Sequence, residues 1–378
     1  MAWDRLSAEE QLCLFLSVGC PSGSFRDRAS ELSATPLNWE IVVQYAVREG
    51  TFPLLYRNLR ALGFPGGSPG VRVELASLAR HNALRNALLA NELGRVLELF
   101  AGAGIPAIPW KGVALAQALY GDEALRCCGD IDILVRPADV ARALDALAAK
   151  GYLPAHEDRV PRNVTRQISL DYAVRRHDPG IDYLIELHWG VLGVPALDRQ
   201  LGDEIWSAAR PTTFAGARAF APNAEHELLC LAAHAAKHWW KGLKWLVDIH
   251  DLCCSRSIDW QTLRQGAERL QCARVIRFAL SACHELLDTR FPAEFAPALP
   301  PGRLCLFPTP WSPSDSFRAV LFASSLLKRR GQRANYVIRR ILSPTDPDRD
   351  FVHLPHSLGW LYYPIRLFRL AWRQLRAW

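Results

Sequence analysis

The sequence has no run of eighteen or more apolar residues, so no transmembrane helix is expected. Its N-terminus, MAWDRLSAEEQL, carries acids early and lacks the basic-then-apolar layout of a secretory leader. Its ten cysteines include no C-x-x-C spacing, and two pairs are adjacent, Cys127–Cys128 and Cys253–Cys254. That pattern suits neither a zinc finger nor an ordinary disulfide framework. Free thiols in a reducing, cytoplasmic setting are the expectation. Charged residues are only 22 % of the chain and aromatics 10 %, while half the residues are hydrophobic. This balance excludes a disordered chain. With 378 residues, two or three domains or subdomains are expected.

A net basic charge is also absent from most of the chain. The net charge is +7, but the segment from Arg318 onward alone carries +9, which leaves −2 for everything before it. A general nucleic-acid-binding surface therefore does not follow from the overall balance.

Residues 1 to about 103 read as helical. Ser7-Ala-Glu-Glu opens one helix, Asn38 caps another, and the stretch Leu75 to Phe100 makes a long one with Gly94 as its one interior glycine. The pattern changes at Gly104. Ile105 to Ile108 reads as a strand, Val113 to Tyr120 as a helix, and Ile131 to Val135 as a strand of β-branched residues around one acid. A helix follows from Pro137 to a stop at Gly151. Strands near Gln167–Val174 and Tyr183–Leu187 flank a turn at Asp178-Pro-Gly180, and Phe214–Phe220 suggests a hairpin around Ala-Gly. After Pro222 the chain is helical again: Glu225 to Cys254 is one helix, or two broken near Gly242. Helices then run to Leu287 and from Phe317 to Ile341, with a proline-rich loop from Pro292 to Pro313 between them.

The sharpest chemical feature is Gly129-Asp130-Ile131-Asp132-Ile133-Leu134-Val135. Strand side chains alternate, so Asp130 and Asp132 share a face, roughly 7 Å apart. Two hard oxygen ligands at a strand end suit Mg²⁺ or Mn²⁺. A second ion would require a third carboxylate, and Glu186, in Tyr183-Leu-Ile-Glu-Leu-His188, stands on a strand that can neighbour the pair. Upstream, Trp110-Lys111-Gly112 closes a strand and opens a helix, where backbone N–H groups and the helix dipole favour phosphate. Arg126, on the loop into the acidic strand, can reach phosphate oxygens bidentately. The bland alternatives are a solvated acidic edge, a turn glycine and solvated cations.

The run Trp110-Lys-Gly-Val-Ala-Leu-Ala-Gln-Ala-Leu-Tyr120, then Leu125-Arg126, Gly129 to Val135 and Gly151-Tyr152 resembles the uncharacterised nucleotidyltransferase family of the polymerase beta superfamily. Glu186-Leu-His-Trp189 and His234-Ala-Ala-Lys-His238 with Trp245-Leu-Val-Asp248 resemble it too, as does Trp360-Leu-Tyr-Tyr-Pro-Ile-Arg366 more weakly. The likeness covers about residues 35 to 270. It implies an α+β fold: a small mixed β-sheet nucleotidyltransferase core (104–221), flanked by an N-terminal helical segment (1–103) and a C-terminal helical domain (222–378). It further implies divalent-metal catalysis with Asp130, Asp132 and Glu186 as the acidic triad. Nucleotide contacts would come from Lys111, Gly112, Arg126, His188, His234, Lys237, His238 and Asp248. One departure stands out. The wider superfamily has Gly-Ser or Gly-Gly before the acids, whereas here Gly112 is followed by Val113 and no hydroxyl is offered.

On a continuous helix His234, Lys237, His238, Lys241, Trp245 and Asp248 fall within an arc of roughly 120°, a polar stripe able to face a triphosphate or an acceptor. His238 could serve as an acid or base. The His234–His238 spacing is also found in zinc proteases, but no glutamate lies between the two histidines. Near the end of the chain, Arg366, Arg369, Arg373 and Arg376 share a helix face, with Leu367, Phe368, Leu370, Ala371, Trp372 and Leu375 elsewhere. Such a helix can meet an anionic membrane, nucleic acid or an acidic partner, or simply pack with its arginines in water.

The leading functional reading is transfer of a nucleoside monophosphate from a nucleoside triphosphate to an acceptor. Two others stand beside it: a non-catalytic nucleotide-binding or scaffold protein that kept the fold, and a toxin-type enzyme acting on RNA or protein. The base of the nucleotide, the acceptor and the oligomeric state are not legible.

Overall fold

The computed structural model describes residues 6–155, 171–192, 195–238, 240, 242–296, 324, 330–342, 344, 348 and 351–375. It begins with four short helices, α1 (Ala8–Leu16), α2 (Gly23–Ser33), α3 (Trp39–Glu49) and α4 (Phe52–Ala61). The first is set by a capping box. The Ser7 hydroxyl accepts from the Glu10 amide at 3.2 Å, and the Glu10 carboxylate accepts from the Ser7 amide at 2.8 Å. Asn38 caps α3, and Gly50 ends it in the left-handed conformation. The long helix α5 (Pro69–Gly102) starts six residues earlier than its apolar pattern suggests, because Ser68 caps it and Pro69 is tolerated in its first turn.

A five-stranded mixed sheet follows, in the order β1-β2-β5-β4-β3. Its strands are β1 (Ala107–Pro109), β2 (Ile131–Val135), β3 (Leu153–Pro154), β4 (Asp171–Asp178) and β5 (Ile181–His188). Only β2 and β5 run parallel. Helix α6 (Gly112–Tyr120) joins β1 to β2, and α7 (Val140–Ala148) follows β2. A helix not among those expected, α8 (Pro195–Ala208), leads to the hairpin β6 (Arg210–Phe214) and β7 (Ala217–Ala221). Its turn residues Ala215 and Gly216 both have positive φ, the twist that two-residue hairpins favour. Gly94 lies under this turn: a Cβ there would stand 3.0 Å from that of Ala215, so the glycine lets α5 approach the hairpin. Of the expected strand Gln167–Val174, residues 167–170 lie outside the described residues.

The chain is then helical: α9 (Ala224–Lys237), α10 (Leu243–Ser255), α11 (Trp260–Arg269), α12 (Ala273–Leu287), α13 (Arg330–Leu342) and α14 (Tyr362–Leu375). The stretch Glu225–Cys254 is thus two helices, broken at Gly242 with φ +115. The expected loop Pro292–Pro313 and helix Phe317–Ile341 lie largely outside the described residues, as do Trp239, Lys241 and the Arg373 and Arg376 side chains. On α14, Arg366 and Arg369 both turn inward to the buried carboxylate of Asp348, at 2.8 and 2.6 Å, and Leu367, Phe368 and Trp372 are exposed. Those two arginines are therefore not the free basic face that their spacing suggests. No described helix is long and apolar enough to cross a membrane. The nine described cysteines are free thiols.

Two hydrophobic clusters make the core. One gathers α1–α4 with α9–α12, packing Phe15, Leu55 and Leu59 with Leu228, Leu246 and Leu280. The other places Leu89, Leu93, Leu97 and Phe100 of α5 against Ile131, Ile133, Val135, Ile185 and Leu187 of the sheet. Strand alternation therefore sends the isoleucines of β2 toward α5. The opposite face, which carries Asp132 and Leu134, turns toward the helical cluster, and Leu134 packs into it.

Helix α5 also holds the loop that feeds β2. The fully buried Asn86 donates to the Arg126 carbonyl at 2.7 Å and to the Glu123 carbonyl, and Asn82 donates to the Ala124 and Arg126 carbonyls at 2.7 and 3.2 Å. Replacing Asn86 by leucine leaves the Glu123 carbonyl without its donor and the Arg126 carbonyl with the longer bond from Asn82. We expect a loss of roughly 1–3 kcal/mol in urea unfolding; a loss below roughly 0.5 kcal/mol would show that the loop is held otherwise.

Candidate active site

The pairing of β2 with β5 sets the site. In its register Asp132 lies directly beside Glu186, and Leu134 beside His188. Period-two alternation puts Glu186 and His188 on the same face of β5. His188 Nε2 lies 2.8 Å from Asp132 Oδ1 and 3.4 Å from Glu186 Oε2. Lys111 Nζ reaches the same Asp132 oxygen at 2.8 Å. Asp132, His188 and Lys111 are all buried, and Asp130 and Glu186 are half-buried.

The charges are coupled. Burial opposes ionisation of Asp132, but Lys111 and the His188 hydrogen bond outweigh it and hold the carboxyl well below its usual range. His188 hydrogen-bonds Glu186 and keeps it ionised too. Burial disfavours the imidazolium of His188, yet its bonds to Asp132 and Glu186 raise its pKa overall. Asp130 has no such partner among the described residues. Burial, reinforced by the negative charges of Asp132 and Glu186, pushes it up to about 6.

Lys111 reaches Asp132 from a strained backbone. Its φ of +60° and ψ of −162° lie in a region that side chains rarely adopt, at a cost of about 1–3 kcal/mol. Gly112 also has positive φ, and a Cβ there would stand 3.4 Å from the Asp130 carbonyl oxygen, so the start of α6 comes close to the acidic strand. Helix α6 has no side-chain cap, which leaves its first amides available to an anion. Trp110 walls this corner. Its ring meets His188 edge-on at 5.5 Å and the Lys111 ammonium at 4.5 Å. Its buried indole N–H has no hydrogen-bond partner among the described residues.

The helix pair α9–α10 contributes rings here. His234, His238 and Trp245 cluster with centroids 4.5–5.2 Å apart, and His238 stacks on Trp245. Burial first, with Lys111 next for His234 and Lys237 next for His238, lowers both imidazoles, that of His238 to about 4. Both are neutral at pH 7. Lys237 is exposed and faces Asp171 at 3.5 Å. The break before α10 means that the stripe is not one continuous helical arc, although His234, His238 and Trp245 still meet.

Arg126 and Asp248 are brought together as a buried bidentate pair, with both N–O distances 2.9 Å. The fork expected to reach phosphate thus lies on a carboxylate of α10. Sequence reasoning missed this partnership, and also missed His188 as a partner of Asp132. The second was findable, because a histidine two residues after Glu186 must share its strand face. Burial pushes the thiol of Cys127, beside Arg126, up to about 12.

The chain belongs to the uncharacterised nucleotidyltransferase family, which matches residues 35–288, from just before α3 through α12. Among curated proteins, none matches the chain.

Removing Asp248 would leave the Arg126 guanidinium buried without a counter-charge. Asp248→Ala is expected to lose roughly 3–5 kcal/mol in chemical unfolding, and Arg126→Met/Asp248→Leu to recover most of it. A double variant no more stable than the single one would refute a mainly structural role for this pair.

Proposed function

We propose that the protein transfers a nucleoside monophosphate from a nucleoside triphosphate to an acceptor, using Mg²⁺ or Mn²⁺ held by Asp130, Asp132 and Glu186. The observation that carries this reading is the β2–β5 register, which sets Asp132 beside Glu186 within reach of the start of α6. The residues fit a divalent ion. Ligand atoms of Asp132, Glu186 and His188 lie within 4.8 Å of one another, and two of the three are hard carboxylate oxygens. Asp130 adds a carboxyl whose raised pKa reports surplus negative charge in the corner. Bound there, the ion supplies neutralisation of the triphosphate and polarisation of the phosphoryl group under attack.

The chain's own groups do the positioning. The first amides of α6 and the Lys111 ammonium take phosphate oxygens, with lysine standing in for the hydroxyl that Val113 does not offer. His188 anchors Asp132 and orients it. Glu186, ionised and half-buried, orients the acceptor's hydroxyl and receives its proton as the oxygen attacks the α-phosphorus. A new O–P bond forms, the bond to the β-phosphate oxygen breaks, and pyrophosphate leaves. Arg126 and Asp248 brace the loop that enters β2.

Calorimetric titration with ATP, GTP, CTP and UTP, with and without Mg²⁺, tests this reading. At least one triphosphate should bind only with metal, and Asp130→Asn/Asp132→Asn should weaken that binding by tenfold or more, about 1.4 kcal/mol, in protein that circular dichroism shows to be folded. Equal binding by the double variant, or no binding at all, would refute it.

The raised Asp130 carboxyl also predicts a pH dependence. The metal competes with a proton held below about pH 6, so affinity is full above that pH and falls by up to about tenfold per unit beneath it. Mn²⁺ binding followed by electron paramagnetic resonance between pH 5 and 8 should show the decline, and a flat profile would exclude Asp130 as a ligand.

A further inference from the structure

A cavity of about 630 Å³ opens beside the acidic corner, between the C-terminal end of α3, helix α5, Cys127–Cys128 and the break that precedes α10. Its walls bring together two cations without a carboxylate partner among the described residues. One is Lys244. Its ammonium lies 4.2 Å from the centroid of the Trp245 ring. Its stem runs past Gly50, where a Cβ would stand 3.0 Å from Lys244 Cδ, so the glycine that ends α3 makes room for it. The other is Arg85, which donates to the carbonyl of Gly129 at 3.0 Å, one residue before Asp130.

The acids nearby are already engaged. Glu49, which also lines the cavity, accepts from the Leu243 amide at 2.8 Å and pairs with Arg48 at 3.0 Å. Asp248 is held by Arg126. Burial and the charge of Arg126 both push the Lys244 pKa down, the mark of an ammonium short of counter-charge. Beside it, the stacked pair His238 and Trp245 offers a neutral flat wall. The cavity thus presents two cations and an aromatic platform, arranged apart from Lys111 and the start of α6.

We infer that this cavity seats the acceptor of the transfer reaction, and that the acceptor carries a carboxylate or phosphate group held by Lys244 and Arg85. Naming the occupant an acceptor rests on the nucleotidyl-transfer reading; the anion site itself does not. The arginine bonded to Gly129 places the cavity next to Asp130, so a ligand anchored there has its far end toward the acidic corner.

The chain has six lysines, so lysine-labelled protein gives few side-chain NMR signals, and Lys244 is assigned by its loss in Lys244→Gln. The full chain, without metal or nucleotide, is titrated with inorganic phosphate and with acetate, and with chloride at matched ionic strength. The Lys244 signal should move saturably with phosphate, acetate or both, beyond the chloride response. Arg85→Ala, at an exposed position, should weaken that binding by about tenfold with the melting temperature unchanged. Preference for phosphate assigns a phosphorylated acceptor, and preference for acetate a carboxylated one. A Lys244 response no larger than with chloride overturns the proposal. So does displacement of the anion by Mg-ATP, which would give the cavity to the triphosphate. If metal-dependent triphosphate binding fails while Lys244 still takes the anion, the transfer reading falls and the anion site stands.

Discussion

Three carboxylates share one corner of a sheet, and their mutual repulsion is the constraint around which the rest of this structure is arranged. Asp132 lies on β2 with Asp130 just before that strand, and the parallel pairing of β2 with β5 adds Glu186 beside Asp132. In a half-buried setting such a cluster is costly unless cations answer it. Lys111 and His188 do so, both on the same oxygen of Asp132. The strained backbone at Lys111 goes with this demand: the residue at the start of α6 meets the acidic strand in a conformation that side chains avoid. Asp130, left without a partner among the described residues, keeps the raised carboxyl that marks the remaining excess of negative charge.

The helices serve that corner at one remove. Asn82 and Asn86 on α5 hold the carbonyls of the loop before β2, and the Arg126 side chain of that loop is locked to Asp248 on α10. The approach to the acids is thereby tied to helices far away in sequence. Because α1–α4 and α9–α12 share one hydrophobic cluster, the acidic face of β2 looks onto a shell built from helices that precede the sheet and helices that follow it.

Much of this was legible in the sequence, and the reasons are physical. Alternation of isoleucine with aspartate located β2 to the residue, although Asp130, expected on the same strand face as Asp132, lies just before the strand. Pro-Gly at positions 179–180 and Ala-Gly at 215–216 marked both hairpin turns, because each demands a positive φ at its glycine. The mixed fold and the family followed from the order of the Lys-Gly, Arg, Asp-x-Asp and Glu elements. What was not legible depends on partners distant in sequence. Arg126 looks like a phosphate ligand until Asp248, 122 residues later, packs against it. The arginines of α14 look solvent-facing until Asp348 draws Arg366 and Arg369 inward. In both cases a buried carboxylate decided where a guanidinium went, and helical spacing contains no information about that.

The way cations are distributed makes the last step of the argument. A protein joining two anionic reactants must hold both without letting either occupy the other's place. On the proposed reading Lys111 and the start of α6 would serve one anion, and Lys244 with Arg85 another. Between them stand Trp245 and two histidines, His234 and His238, whose pKa values burial and the nearby lysines lower. Protonated histidines there would merge the two cationic regions into one and favour a single polyanion spanning both. Neutral rings keep the fields separate and supply flat surfaces for a base or an aromatic acceptor. The break at Gly242, which ends the continuous stripe that the sequence suggested, is what allows Trp245 to turn between the two regions and Lys244 to face the cavity behind it.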